Sequence, residues 1–250
     1  MNDEVRHNND HLDFWDHLEE LRWVILKCLI TLAITTMIGL LFASLLGDVL
    51  QRPLASMDIE VELIFTAPLD AFLVRLKLAL LAGIVFAIPV LLYFIWQFLA
   101  PGLYEHERRL VWVAIIAGSV FFCVGAFFAY FLLFFGLPAL IRMGLAGARH
   151  LWSLQSYLSF CFRFILAFGV IFELPVIVVT LARLGLLEAK TLQKIRPYAI
   201  IGIFVVGALL TPPDPFTQIM LGLPLVLLYE GSIVMVKWAE QRKEKALKAD

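Results

Sequence analysis

Charge is what this sequence has least of. Of its 250 residues 20 are Lys or Arg and 21 are Asp or Glu, 16% in all, while 62% are apolar and the mean hydropathy is +0.90. A soluble domain carries about half its residues apolar and about a quarter charged. The polar residues here are too few to clothe a water-facing core, and the chain reads as a polytopic membrane protein. A net charge of −1 lays down no basic footprint, so no nucleic-acid partner is expected. Cysteine is scarce too. Cys28, Cys123 and Cys161 sit inside apolar segments without CxxC or Cys/His spacing, and they read as small buried hydrophobes; neither a disulfide nor a metal site is expected. The start MNDEVRHNNDHLDFWDHLEE lacks a basic n-region, an apolar h-region and a small-residue cleavage site, so the first apolar helix is expected to stay as an anchor. GxxxxGK[ST], HExxH and GxSxG are all missing, and no Ser/His/Asp set shares one face of the membrane. Neither an enzyme nor a cofactor is expected.

What is abundant is the long apolar run. Crossing about 30 Å of hydrocarbon takes about 20 helical residues, and runs of that kind occur at 23–46, 69–99, 110–135 and 156–183, followed by shorter ones at 196–211 and 216–236. The expected fold is all-α: a single domain over 1–250 with six transmembrane helices and polar tails at 1–12 and 238–250. Only TPPDPF, Thr211 to Phe216, separates the last two runs, and its prolines force a tight turn. Those two helices are at or below spanning length, so the bilayer beside them is thinned or they reach part-way. Basic residues collect on one side, at Arg6, Arg22, Lys27, Arg108, Arg109, Arg183, Lys190, Lys194, Arg196, Lys237 and the C-terminal lysines, whereas the other side has Arg52, Arg142 and Arg149. By the positive-inside rule both termini are cytoplasmic.

Helices two and four each contain a proline that removes a backbone hydrogen bond and bends the helix. Aligned on those prolines, GIVFAIPVLL (Gly83 to Leu92) and GVIFELPVIV (Gly169 to Val178) differ at one chemically important place, where Ala87 faces Glu173. A carboxylate at bilayer depth costs about 2.5 to 3.5 kcal/mol on insertion scales, which marks Glu173 as a functional candidate. Arg163 lies ten residues away, about 15 Å along a helix, and cannot neutralise it.

Two more carboxylates stand out at the cytoplasmic surface. At the entry to helix one, Asp16 with Glu19 has the form of a capping box, which leaves Glu20 over. Glu20 is either one more solvated first-turn acid or part of a site. In the loop after helix two, Pro101 and Gly102 end the helix and Glu105 pairs with Arg109 at i,i+4. Glu107 has no such partner on its helix face. Two carboxylates at a half-desolvated surface suit a cationic ligand, guanidinium above all, which binds carboxylates bidentately.

HLEELR (His17 to Arg22), APGLYEHERRL (Ala100 to Leu110), YLSFCFRFILAFGVIFELPV (Tyr157 to Val176) and RPYAIIGIFVVGALLTPPDPFTQ (Arg196 to Gln218) occur in order on a six-span layout. In this the chain resembles the TatC family, the multispanning subunit of the twin-arginine protein translocase, over nearly its whole length. The resemblance implies a receptor in the bacterial cytoplasmic (inner) membrane. There, Glu20 and Glu107 bind the paired arginines in signal peptides of folded precursors, with Arg22 and Phe98 at family positions beside them. It also implies that Glu173 offers a polar contact to small single-span partners of the TatA and TatB type, in an oligomeric complex that draws on the proton-motive force. Pro53, Tyr130 and Asp214 fall at family positions as well. Read as residues alone, Phe98 and Tyr130 are interfacial aromatics, Pro53 a loop residue and Asp214 a turn former.

A second reading competes. In a proton-coupled small-solute transporter, Glu173 would carry the proton and the bent helices two and four would form a midplane site. That reading accounts for Glu173 and gives no role to Glu20 or Glu107. A membrane scaffold without a ligand is a third.

Overall fold

The computed structural model describes residues 2–56, 61–99, 108–142, 150–210 and 215–247. The helices are α1 (Asn2–Ala55), α2 (Asp70–Leu99), α3 (Arg108–Arg142), α4 (Leu154–Ile171), α5 (Leu174–Arg183), α6 (Ala189–Leu210) and α7 (Pro215–Leu247), with short strands β1 (Val61–Ile64) and β2 (His150–Ser153). Among the described residues five segments are long and apolar enough to cross a membrane: Leu18–Ala55, Asp70–Phe98, Val111–Pro138, Leu154–Arg183 and Leu221–Gln241. The fourth is α4 and α5 together, one span interrupted in its middle. With α6 the order is that of a six-helix, all-α, multi-pass membrane protein.

Large apolar side chains point outward along these spans, as Met37 (72% exposed) and Leu41 (79%) do on α1. Facing water they would be a liability; facing hydrocarbon they need no cover. Lipid tails are as apolar as leucine, so helix association depends on close backbone approach at small residues. The α1–α2 contact works this way. A Cβ on Gly83 would lie 2.7 Å from Thr36 Cα, and one on Gly39 would run into the Ala79 carbonyl oxygen. The largest core gathers Leu50 and Leu54 of α1, Leu78 of α2, Leu133 of α3 and Cys161 and Phe168 of α4.

Helix α1 starts well before the capping box expected at Asp16. Nothing between Asn2 and Arg22 is Gly or Pro, and the helix runs through that stretch without a stop. Asp16 is therefore not an N-cap, and Glu20 is not a first-turn acid. The other end of α1 differs from expectation as well: Pro53 lies inside the last turn, buried, and not in a loop.

Two short strands depart from the all-α expectation. β1 and β2 pair in parallel, Val61 with His150 through Ile64 with Ser153, and so join the α1–α2 connection to the α3–α4 connection. Beside this pair the entry to α2 is fixed by Asp70, whose Oδ2 accepts from Thr66 N (2.9 Å), Thr66 Oγ1 (2.9 Å) and Ala67 N (2.8 Å). Helices α6 and α7 pack together as a hairpin, held near the start of α6. Glu240 Oε1 accepts from Ala189 N at the start of α6 (2.7 Å), Tyr229 donates to Leu192 O (2.7 Å), and Arg196 pairs with Glu230 (2.7 Å). Helix α7 opens on Pro215, where a missing N–H costs nothing.

Candidate functional site

The centre of the fourth span is organised by one missing hydrogen. Pro175 has no N–H for the Ile171 carbonyl and its ring crowds that carbonyl, so α4 stops at Ile171 and α5 restarts at Leu174. Between them Phe172 and Glu173 keep right-handed backbone angles. The Phe172 N–H still reaches Phe168 O (2.9 Å), whereas the Glu173 N–H tightens onto Val170 O (3.1 Å), three residues back. Ile177 N–H then donates to Glu173 O (3.0 Å), and α5 continues. Pro89, the counterpart in α2, lies within an unbroken helix.

The Glu173 side chain takes no part in capping α5. It is buried, 6% exposed, and lies against α3 at Gly118, where an added Cβ would come within 2.7 Å of Glu173 Oε2 and 2.8 Å of Leu92 Cδ1 from α2. Gly118 is the residue that sequence reasoning missed; its only signal is a glycine inside a strongly apolar helix, a choice that costs about 1 kcal/mol against alanine and so implies a close neighbour. Glu173 Oε1 is buried and makes no hydrogen bond to any described residue. Arg163, ten residues earlier, turns its Nε toward Ser159 O (3.3 Å). At the corresponding place in α2, Ala87 is fully buried and apolar. Among the described residues one acceptor thus stands at a helix break, walled by a glycine, without a donor. Burying such a group costs about 1 to 3 kcal/mol or more, a cost that a donor from another chain or from water offsets.

Glu20 and Arg22 are exposed on α1, and Phe98 is half-buried in the last turn of α2. Lys27 Nζ lies 5.8 Å from the centre of the Phe94 ring, which ties α1 to α2 at this end. Glu20 is seven residues before Lys27 and Phe98 four after Phe94, so the two lie about 10 Å and 6 Å beyond that contact on neighbouring helices. Glu107 and Asp214 lie outside the described residues.

Pro53 and Tyr130 prove to be one unit. Pro53 has no N–H for the carbonyl of Val49, four residues back. Tyr130 of α3 donates its hydroxyl to that same Val49 O (3.0 Å), and Tyr157 of α4 donates to the next carbonyl, Leu50 O (2.6 Å). Two tyrosines from two helices thereby hold the end of α1. Among the described residues no cluster of His, Cys, Asp and Glu is arranged to hold a metal ion.

Comparison with known proteins places the chain. Residues 16–224 match the family model described as Sec-independent protein translocase protein (TatC). A TatC of Desulforapulum autotrophicum is 40% identical over 233 residues, 92% of this chain and 86% of that protein. One of Aquifex aeolicus is 35% identical over 238 residues, 94% of this chain and 98% of that protein. A crystal structure of a twin-arginine translocase receptor, TatC, superposes with a TM-score of 0.79 at 35% identity, covering 90% of this chain and 99% of the other. The chain belongs to the TatC family of Sec-independent protein translocase proteins.

Proposed function

We propose that this protein is the signal-peptide receptor and core subunit of a twin-arginine translocase in a bacterial inner membrane, with both termini in the cytoplasm. The observation that carries the reading is its likeness, over nine-tenths of its length, to a solved protein described as a twin-arginine translocase receptor. Glu20 and Glu107 take the arginine pair of a signal peptide, with Arg22 and Phe98 beside them. Glu20 and Phe98 at one end of the α1–α2 pair support this arrangement, and Glu107 immediately precedes Arg108, the first residue of α3, in the sequence that joins α2 to α3. Glu173 receives a polar side chain from a single-span partner of the TatA or TatB type, whose donor would occupy the free Oε1. The proton-motive force supplies the energy, and the working form is an oligomeric complex within membrane lipid. The relatives compared are protein translocase components, which gives no support to a solute transporter.

The test is capture. A photocrosslinker placed at Glu107 should trap a radiolabelled twin-arginine precursor, and one at Glu173 should trap single-span partners in the same membranes. A precursor whose arginines are replaced by lysines should be trapped much less. Equal capture of both precursors would remove the carboxylate pair from the proposal.

A further inference from the structure

A groove runs along the outside of the molecule between α3, α5 and α7, with a cavity of about 150 Å³. Its walls are Ala114 and Ala117 of α3, Pro175 and Val179 of α5 and Met235 of α7, and Arg183 stands at one end. The helices α3 and α5 pass here in opposite directions, so Val113 and Ala114 share a level with Arg183 and Phe121 shares one with Pro175. The groove thus leads from the membrane surface at the end of α5 inward to the helix break. Small side chains on α3 open it, and Thr180 on its wall gives its hydroxyl to Val176 O (2.7 Å), which leaves Arg183 as the one uncommitted polar side chain of the lining.

Arg183 is exposed in the last turn of α5, where the chain leaves the helix through a glycine-ended turn. There the Gly185 N–H reaches Ala182 O (3.0 Å), the Leu186 N–H reaches Leu181 O (3.0 Å), and Gly185 has φ 78°. No described residue forms an ion pair or side-chain hydrogen bond with Arg183. Glu230 is committed to Arg196 and Glu240 to the Ala189 N–H, and among the described residues the exposed Glu188, five residues on, forms no ion pair with Arg183. A dry apolar groove inside a membrane span is filled by hydrocarbon, and an arginine at its surface end is matched by an anion.

We infer that this groove binds an anionic phospholipid, one acyl chain lying between α3, α5 and α7 toward Pro175 and the headgroup phosphate held by Arg183. Guanidinium and phosphate form a charge-assisted, bidentate contact, and the leaflet is the one on the side where α5 ends. Selectivity for charge resides in Arg183, and retention of any chain resides in the groove.

Native mass spectrometry of the whole protein, extracted in detergent and supplied with equimolar phosphatidylglycerol and phosphatidylcholine, tests this. The unaltered protein should retain phosphatidylglycerol in preference. Arg183→Gln should lower that preference about tenfold, the loss of one charge-assisted contact, without lowering the unfolding temperature. Ala117→Leu, which fills the groove from α3, should reduce retention of both lipids; if that variant is poorly folded, Val179→Phe makes the same test from α5. Unchanged phosphatidylglycerol preference in Arg183→Gln overturns the inference. So does a photocrosslinker at Val179 that captures a polypeptide in high yield in native membranes, because the groove would then hold a protein helix.

Discussion

At the scale of single residues, Glu173 separates two kinds of chemistry. Its Oε1 needs a donor. If a partner side chain supplies one, Glu173→Gln still offers a carbonyl oxygen and should keep precursor transport within about tenfold, whereas Glu173→Ala offers nothing and should lose more. Transport into inverted membrane vesicles measures both variants. Equal and complete loss, with partners still copurifying, would assign the carboxylate to proton transfer, since glutamine cannot titrate. The Pro53–Tyr130 unit allows a sharper test. Removing the hydroxyl in Tyr130→Phe should cost about 1 kcal/mol of stability, because Val49 O is left without a donor. In a Pro53→Ala background, the alanine N–H can serve Val49 O and the same substitution should cost much less. A double-mutant cycle by chemical unfolding reads that coupling; additive costs would show that the two residues act separately.

The elements show why sequence reading succeeds in some places and fails in others. Long apolar runs revealed the spans, because hydrocarbon thickness fixes their length, and Pro175 beside Glu173 marked the break. Long-range geometry was hidden. Pro53 read as a loop residue because a proline near the end of an apolar run is ambiguous until Tyr130, far along the chain, is seen repairing its helix. Asp16 read as a cap because four residues define a capping box, whereas the helix continues through it for lack of any breaker upstream. Strands of four residues with no alternation left no trace, and Gly118 became meaningful only with Glu173 beside it. One element-scale expectation is still open to measurement. In α6 the first turns carry Lys190, Lys194 and Arg196, so the apolar part from Ala199 to Leu210 is about 18 Å long, well short of about 30 Å of hydrocarbon. Cysteines placed singly from Gly207 to Gln218 should react with an aqueous thiol reagent from the far side of the membrane, Thr211 and Asp214 included. Full protection of those two would mean that the bilayer is not thinned there.

At the scale of the whole molecule, the receptor reading links the surface to the membrane interior. Replacing Glu20 or Glu107 by Gln should weaken binding of a twin-arginine precursor about tenfold, and the difference should narrow as salt rises, since exposed charges are screened within about 8 Å at physiological ionic strength. Equilibrium binding to purified protein at two salt concentrations checks both statements. Precursor binding that is unchanged in Glu107→Lys would move the site elsewhere.

The pairing of β1 with β2 bears on how the molecule comes into being during synthesis. Its two halves are separated in the chain by all of α2 and α3, so β1 must wait, unpaired, until both of those helices have entered the membrane and the ribosome has delivered β2. When it closes, the strand pair fastens the first helical hairpin to the start of the fourth span, the chain that contains Glu173. The clasp would thus act as a clock on biogenesis: limited proteolysis of nascent chains stopped before His150 should cut at the unpaired β1, and chains carrying the whole of β2 in the membrane should be protected there.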